Sequence, residues 1–416
     1  MSAAALEVDA ALKRFENLYP RTIDLSLDRI LAVLETLGRP QDALPPVIHV
    51  AGTNGKGSTT AFMRAMAEAA GLAVHAFTSP HLVRFNERVR LAGRLVDDEP
   101  LAEWLARTHR ALHGRPITHF EATTAAALLA FAETPADVLL LEVGLGGRFD
   151  ATNVIDRPAV SVITPVDFDH KKFLGNDLGR IAWEKAGVIK RGAPVVSAIQ
   201  ADIPAQVIAE EAASLGAPLT VLRRRDLEGL PQDLALKGRH QIQNAGLAAL
   251  ALKAWGHPAI SEQAIRAGAA DAFWPARMQR LKPGPVTALG DGAEVWLDGG
   301  HNPHAARAIA ALLSDMGGET VLVSAMMAAK DANGFFAGFK PLNCQVFTCP
   351  NAPGHQAAEP PDLAAAAERA GLNAAATNSL DEAMRRAADL KPARILICGS
   401  LYLAGDVLSK NGEPPT

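Results

Sequence analysis

The stretch Val47–Gly71, "VIHVAGTNGKGSTTAFMRAMAEAAG", decides how the rest of the chain is read. "VIHVA" has the short, apolar character of a buried strand. "STTAFMRAMAEAAG" places Phe62, Met63, Met66 and Ala70 on one helical face, with Gly71 as the stop. A strand, a Gly-rich loop and a helix in that order make an anion site, because glycines admit a phosphate to the backbone and the helix N-terminus faces it. The spacing is not the familiar G-x-x-x-x-G-K-[ST]. Only Thr53 and Asn54 separate Gly52 from Gly55, and Lys56 is followed by Gly57 before hydroxyls arrive at Ser58, Thr59 and Thr60. Lys56 adds a point charge, and Ser58 offers a hydroxyl to Mg²⁺. A Gly-rich βα turn without function is the lesser reading, given the lysine and the strand–loop–helix context.

Outward from this unit, β-rich runs alternate with helical patterns: "LAVHAFTS", "DVLLLEV", "AVSVIT" and "APVVSAI". Such alternation predicts an α/β protein with a parallel-rich sheet. Around Arg280–Val286, "RLKPGPV" supplies the Pro and Gly of a linker. A second series follows: "EVWLD", a helix from about Pro303, "TVLVSAM", "CQVFTC", "ARILICGS" and a last helix. The expected division is a domain over 1–281 and a smaller, separately wound domain over 282–416, consistent with 416 residues being too many for one ordinary core. A net charge of -4 excludes the electrostatic footprint of a nucleic-acid binder. Three cysteines make no disulfide framework and point to a reducing compartment. The first twenty residues lack an apolar h-region, and no apolar run is long enough for a bilayer. A cytoplasmic location is expected.

Ligands of open α/β sheets gather at the carboxyl ends of the strands, so polar residues just past those ends carry the information. Glu142 ends "VLLLEV", and a buried carboxylate there needs a cation or a donor; a structural ion pair is the lesser alternative beside "GLGGR". Ser79 in "TSPHL" is a second candidate hydroxyl, although a serine before proline is by itself a turn residue. Asp169 and His170 follow "AVSVITPVDF", as either a local hydrogen-bonded pair or part of a metal site. Lys185 falls on the apolar stripe Leu178, Ile181, Ala182, Val188, while Arg180 and Glu184 are expected on the opposite face. Either the lysine stem snorkels to solvent, or desolvation gives a neutral amine with a chemical task.

The segments "HVAGTNGKGST", "TSPHLVRFNERVRL", "LEVGLGGRFDATNV", "DHKKFLGNDLGRIAWEKAGVI", "GRHQIQNA" and "DGGHNPHAA" together resemble the Mur ligase superfamily. Within it they resemble the bifunctional dihydrofolate synthase/folylpolyglutamate synthases, from about Thr22 to the closing "GSLYLAGDVL". The resemblance implies an N-terminal P-loop ATPase domain and a Rossmann-like C-terminal domain that closes over it. It implies ATP as substrate and two Mg²⁺ ions, with K⁺ as a further candidate. Thr53, Asn54, Gly55, Lys56, Gly57, Ser58, Thr59, Asn244, Arg277 and Asp298 match nucleotide-side positions. Ser58, Ser79 and Glu142 match ligands of the first metal; His170 and a carboxylated Lys185 match those of the second. Lys56, Lys185, Asp298 and His301 take the catalytic positions. "RTIDLSLDRI" and "THFEATTAAAL" resemble pterin-side segments, pointing to Thr22, Ile23, Asp24 and Leu25 and to Phe120, Glu121 and Thr123. The implied partners are dihydropteroate, reduced folates and L-glutamate, with no nucleic acid, no membrane and a monomeric state. Two departures stand out: Lys171 and Lys172 follow His170 where Thr or Ser and an acidic residue are expected, and Gly300 replaces the usual alanine. A Mur-type ligase of cell-wall precursors and a nucleotide-driven switch are the competing readings. "TIDLSLDRI" argues against the first; glutamate-dependent phosphate release would exclude the second.

Overall fold

The computed structural model describes residues 2–19, 26–169, 171–352 and 356–416. Its contacts divide the chain into two units. The first comprises Met1–Pro80, Phe85–Ala235 and Ile242–Ala272; the second comprises His81–Arg84, Leu236–Gln241 and Phe273–Thr416.

The first unit is built on β1 (Val47–Ala51), β2 (Val74–Phe77), β3 (Val89–Leu91), β4 (Arg94–Leu95), β5 (Val138–Glu142), β6 (Val160–Ile163), β7 (Val195–Ser197) and β8 (Leu219–Val221). They form one sheet in the order β4-β3-β2-β5-β1-β6-β7-β8. Six of these strands run parallel, and the β3–β4 hairpin is antiparallel at one edge. The central strands β1 and β5 are buried along their whole length, so apart from His49 and the terminal Glu142 they read as apolar runs with no polar alternation. β1 lies between β5 and β6, which sets the loop after Ala51 amid the strand ends that carry Glu142 and Thr164.

The second unit holds β9 (Gln279–Arg280), β10 (Glu294–Leu297), β11 (Thr320–Ser324), β12 (Gln345–Thr348), β13 (Asn373–Ala376) and β14 (Arg394–Cys398), ordered β13-β12-β11-β14-β10-β9. Because β9 pairs antiparallel with β10, the chain enters this sheet before residue 281. β13 reads Asn-Ala-Ala-Ala and carries no β-branched or aromatic residue, so pattern alone does not reveal it. It exists through its parallel register with β12. Among the described residues no helix is long and apolar enough to cross a membrane.

Beneath the β1 loop lies a buried polar chain. Thr152 Oγ1 donates to Asp150 Oδ1 at 2.6 Å, so its oxygen is left to accept the His49 Nε2–H at 2.9 Å. His49 is fully buried, its Nδ1 finds no partner among the described residues, and desolvation followed by the charge of Lys190 lowers its pKa to about 3. The folded protein therefore refuses a proton that the unfolded chain accepts below about pH 6.5. Stability contributed by neutral His49 is complete above that pH and is lost as pH falls toward 3, at up to about 1.4 kcal/mol per unit. Denaturant titrations between pH 7 and 5 should show this loss, and His49→Gln should flatten the pH slope by about one proton. An unchanged slope in the variant would exclude the assignment.

Candidate functional site

The loop after β1 is shaped by its glycines. Gly55 caps the helix Lys56–Ala69 at φ 87°, and a Cβ there would sit 2.6 Å from Asn244 Oδ1. Gly52, at φ 142°, would drive a Cβ into Thr164 Oγ1. Both positions combine a left-handed backbone with no room for a side chain. The loop thus lies against the end of β6 and against the helix Arg239–Trp255, with the first turn of Lys56–Ala69 facing its mouth.

Two lysines meet at this loop. Lys56 Nζ donates to Gly52 O at 3.2 Å, and Lys185 Nζ donates to the same oxygen at 2.8 Å. Lys185 is 5% exposed, so its stem does not reach solvent. Desolvation, and then the charge of Lys56, bring its pKa down to about 7, so a large share of the amine is neutral at neutral pH. Glu184 does not face solvent as the helical stripe predicts. It is 6% exposed, because the "GLGGR" loop covers it: Arg148 N–H donates to Glu184 O at 2.7 Å, and burial raises the carboxyl pKa. Arg148 also stacks over Trp183, 3.9 Å from the ring centre, and pairs with Glu211 at 2.7 Å, which fixes the height of the Lys185 helix.

Thr53 and Asn54 are bonded to the chain just past β6. Both backbone N–H groups donate to Pro165 O, at 3.0 and 3.3 Å. Thr53 Oγ1 donates to Asp167 O at 2.8 Å and accepts Asp167 N–H at 3.0 Å. These residues lace the loop to the segment that leads to Asp169. Ser58, Thr59 and Thr60 are buried at the start of this helix, and among the described residues the Thr59 and Thr60 hydroxyls find no partner. Glu142 is 4% exposed and opposes Val50 in the sheet, beside the loop. Ser79 follows β2, which pairs with β5, and is half-buried. Hydroxyls and a buried carboxylate at adjacent strand ends are the donors a hard divalent cation takes, so these residues fit one. Among the described residues no three His, Cys, Asp or Glu side chains converge as a metal cluster. His170, and Thr22, Ile23, Asp24 and Leu25 on the pterin side, lie outside the described residues.

Of the other pterin-side residues, Glu121 closes a capping box with Thr118 and pairs with Arg29 at 2.9 Å. Thr123 Oγ1 donates to His119 O at 2.8 Å. Phe120 is half-buried and packs against the backbone at Gly144. Phe120 is therefore the member of that set with a face left to offer.

In the second unit, Asp298 is buried and both its oxygens serve the backbone. Oδ1 accepts Gly300 N–H at 2.6 Å, and Oδ2 accepts Met278 N–H at 2.8 Å. Burial raises its pKa against the opposing charge of Arg277. His301 Nδ1 donates to Gly299 O at 2.9 Å, which puts the neutral ring's lone pair on Nε2. A Cβ at Gly300 would fall 2.8 Å from Asp298 Oδ1 and 2.8 Å from Ile309 Cδ1, so the usual alanine would have to move clear of both. Within "GRHQIQNA", burial and then the charges of His304 and Arg277 lower the pKa of His240 to about 4.

Residues 276–401 match the family model of the Mur ligase glutamate ligase domain. The chain is 40% identical over 311 residues to the dihydrofolate synthase/folylpolyglutamate synthase of Bacillus subtilis, covering 66% of this chain and 69% of that one. It is 34% identical over 424 residues to the enzyme of the same name from Escherichia coli, covering 97% and 96%. Among solved structures it resembles E. coli FolC in complex with DHPP and ADP, with TM-score 0.86, 32% identity and 98% of each chain covered. It also resembles a bifunctional folylpolyglutamate synthase/dihydrofolate synthase with Mn, AMPPNP and L-glutamate bound, with TM-score 0.84, 32% identity and 98% of each chain covered. Identity of 34% across 97% of this chain, together with the match of residues 276–401 to the glutamate ligase domain, leads to one conclusion: this chain belongs to the dihydrofolate synthase/folylpolyglutamate synthase family of Mur ligases.

Proposed function

We propose that this chain joins L-glutamate to dihydropteroate and to reduced folates, using ATP to activate the pteroyl or folyl carboxylate. The family's ATP-dependent ligase activity is the frame, and the convergence of Lys56 and Lys185 on Gly52 O carries the reading at residue level. The substrate carboxylate attacks the γ-phosphate, giving an acyl phosphate and ADP. The amine of glutamate then attacks the acyl carbon and expels phosphate. Positioning and charge neutralisation supply most of the rate, as in other phosphoryl transfers. Lys56 spans the phosphates from the helix N-terminus, and Asn244 backs the loop at Gly55. Arg277 and His301 match family positions at the transferring group, with Asp298 holding the turn that carries His301. The first unit forms the ATP-binding part, and the second, which takes in Phe273–Thr416, forms the glutamate ligase part. The protein acts as a cytoplasmic monomer.

Ser58, Ser79 and Glu142 would hold one Mg²⁺, and His170 with a carboxylated Lys185 a second; K⁺ is a further candidate. Bound there, such ions would neutralise phosphate charge. An ammonium cannot be a metal ligand, so Lys185 must change its chemistry to serve. Its buried, part-neutral amine supports capture of CO₂, which converts a misplaced cation into an anionic oxygen donor.

Lys56→Ala should lower ligation more than about a hundredfold, since it removes the charge that cradles the phosphates. Near-normal turnover at saturating ATP would take the loop out of the active site. A pteroyl or folyl substrate and L-glutamate should both be required for release of inorganic phosphate. If purified protein extends reduced folates yet leaves millimolar dihydropteroate unreacted, the bifunctional reading is wrong. Lys185→Ala should cost most of the activity, Lys185→Arg should do no better, and small added carboxylates should partly restore the alanine variant. Wild-type rates in Lys185→Ala, indifferent to carboxylate, would dispose of the carbamate.

A further inference from the structure

Gln200 follows β7 and is half-buried, outside every motif quoted above. The sheet pairs β6 with β7 as far as Ile163 and Ser197, and Ala198 N–H adds one more rung to Ile163 O at 2.8 Å. Beyond that point the β6 chain turns away, which would strand its next carbonyl and N–H. The Gln200 side-chain amide takes their place in the ladder. Its Nε2 donates to Thr164 O at 3.1 Å and to Ser197 Oγ at 3.3 Å, while its Oε1 accepts the Val166 N–H at 2.9 Å. A primary amide offers a donor and an acceptor side by side, as a peptide group does, so it extends the sheet by a further rung.

The residue bracketed by this rung is Pro165. Its carbonyl accepts the N–H groups of both Thr53 and Asn54, and the next turn is clasped by Thr53 Oγ1 on Asp167. The direction of Pro165 O thus fixes where the phosphate loop begins. Thr164 supplies the wall against which Gly52 rests. An error in segment 164–167 would pass directly into the loop and the Gly52 oxygen that receives both lysines. We propose that Gln200 is a positioning residue for ATP: it holds segment 164–167 in the arrangement that aims Pro165 O at Thr53 and Asn54. The proposal rests on the assignment of the Gly52–Thr59 loop to the phosphates of ATP.

The test uses full-length enzyme with Gln200→Leu, Gln200→Glu and Ser197→Ala. Leucine removes both bonds to the segment. Glutamate keeps an acceptor for Val166 N–H but sets an anionic oxygen against Thr164 O. Ser197→Ala leaves both bonds in place. Both Gln200 variants should raise KM for ATP by about fivefold or more, with KM for folate and glutamate within about twofold of wild type. Amide exchange at residues 52–55 should quicken together with that of 164–167, and Ser197→Ala should behave as wild type. If the leucine variant fails to fold, the glutamate variant carries both measurements. A KM for ATP within about twofold of wild type, or faster exchange confined to 164–167, overturns the proposal. If instead Lys56→Ala binds ATP normally, the phosphate-loop assignment fails and the clamp fails with it.

Discussion

One carbonyl oxygen, that of Gly52, receives the amines of Lys56 and Lys185. Two amines on one neutral acceptor, one of them wholly buried, are stable only if the surroundings compensate for lost hydration. Much of the first unit is arranged to satisfy that condition. Asp150 and Glu184 stand near Lys185 and oppose the fall of its pKa. Arg148 locks the helix that carries it, through Trp183 and Glu211. The loop oxygen keeps its place because Thr53 and Asn54 are bonded across to Pro165.

The fold was legible because its information is periodic. Apolar runs at Val138–Glu142 and Val160–Ile163, glycine at the turns and helical stripes between them leave little choice but a parallel sheet. Glu142, Ser79 and the loop after β1 also stand out as candidates from their places just past strand ends, without knowledge of packing. Three kinds of information were not periodic. Glu184 sits on the polar side of its helix by sequence, yet a loop from elsewhere covers it. Gln200 is one glutamine past one strand, and its meaning lies in Val166 and Thr164. β13 borrows its conformation from β12. In each case the deciding neighbour is remote in sequence.

Several carboxylates that a motif makes prominent are turned inward. Asp150 accepts the N–H of Leu145 and the hydroxyl of Thr152, and through Thr152 it meets His49 on the strand below the phosphate loop. Asp298 accepts two backbone N–H groups and shapes the turn ahead of His301. Such residues act through the backbone they hold, so their removal would change where other groups point. The motif marks a geometry as much as a reagent.

The alanine-rich strand β13 has a consequence of its own. It is the outermost strand of the second sheet, and its free edge is a place where a sheet can recruit a strand from another chain. Residues of low β propensity bind such a newcomer poorly, since they offer few side-chain contacts beyond the backbone rungs. Asn373–Ala376 therefore closes the sheet with a strand that is held well by its one neighbour and is a weak template for any other. Four small residues at the rim of the sheet thus lower the tendency of this edge to pair with another chain.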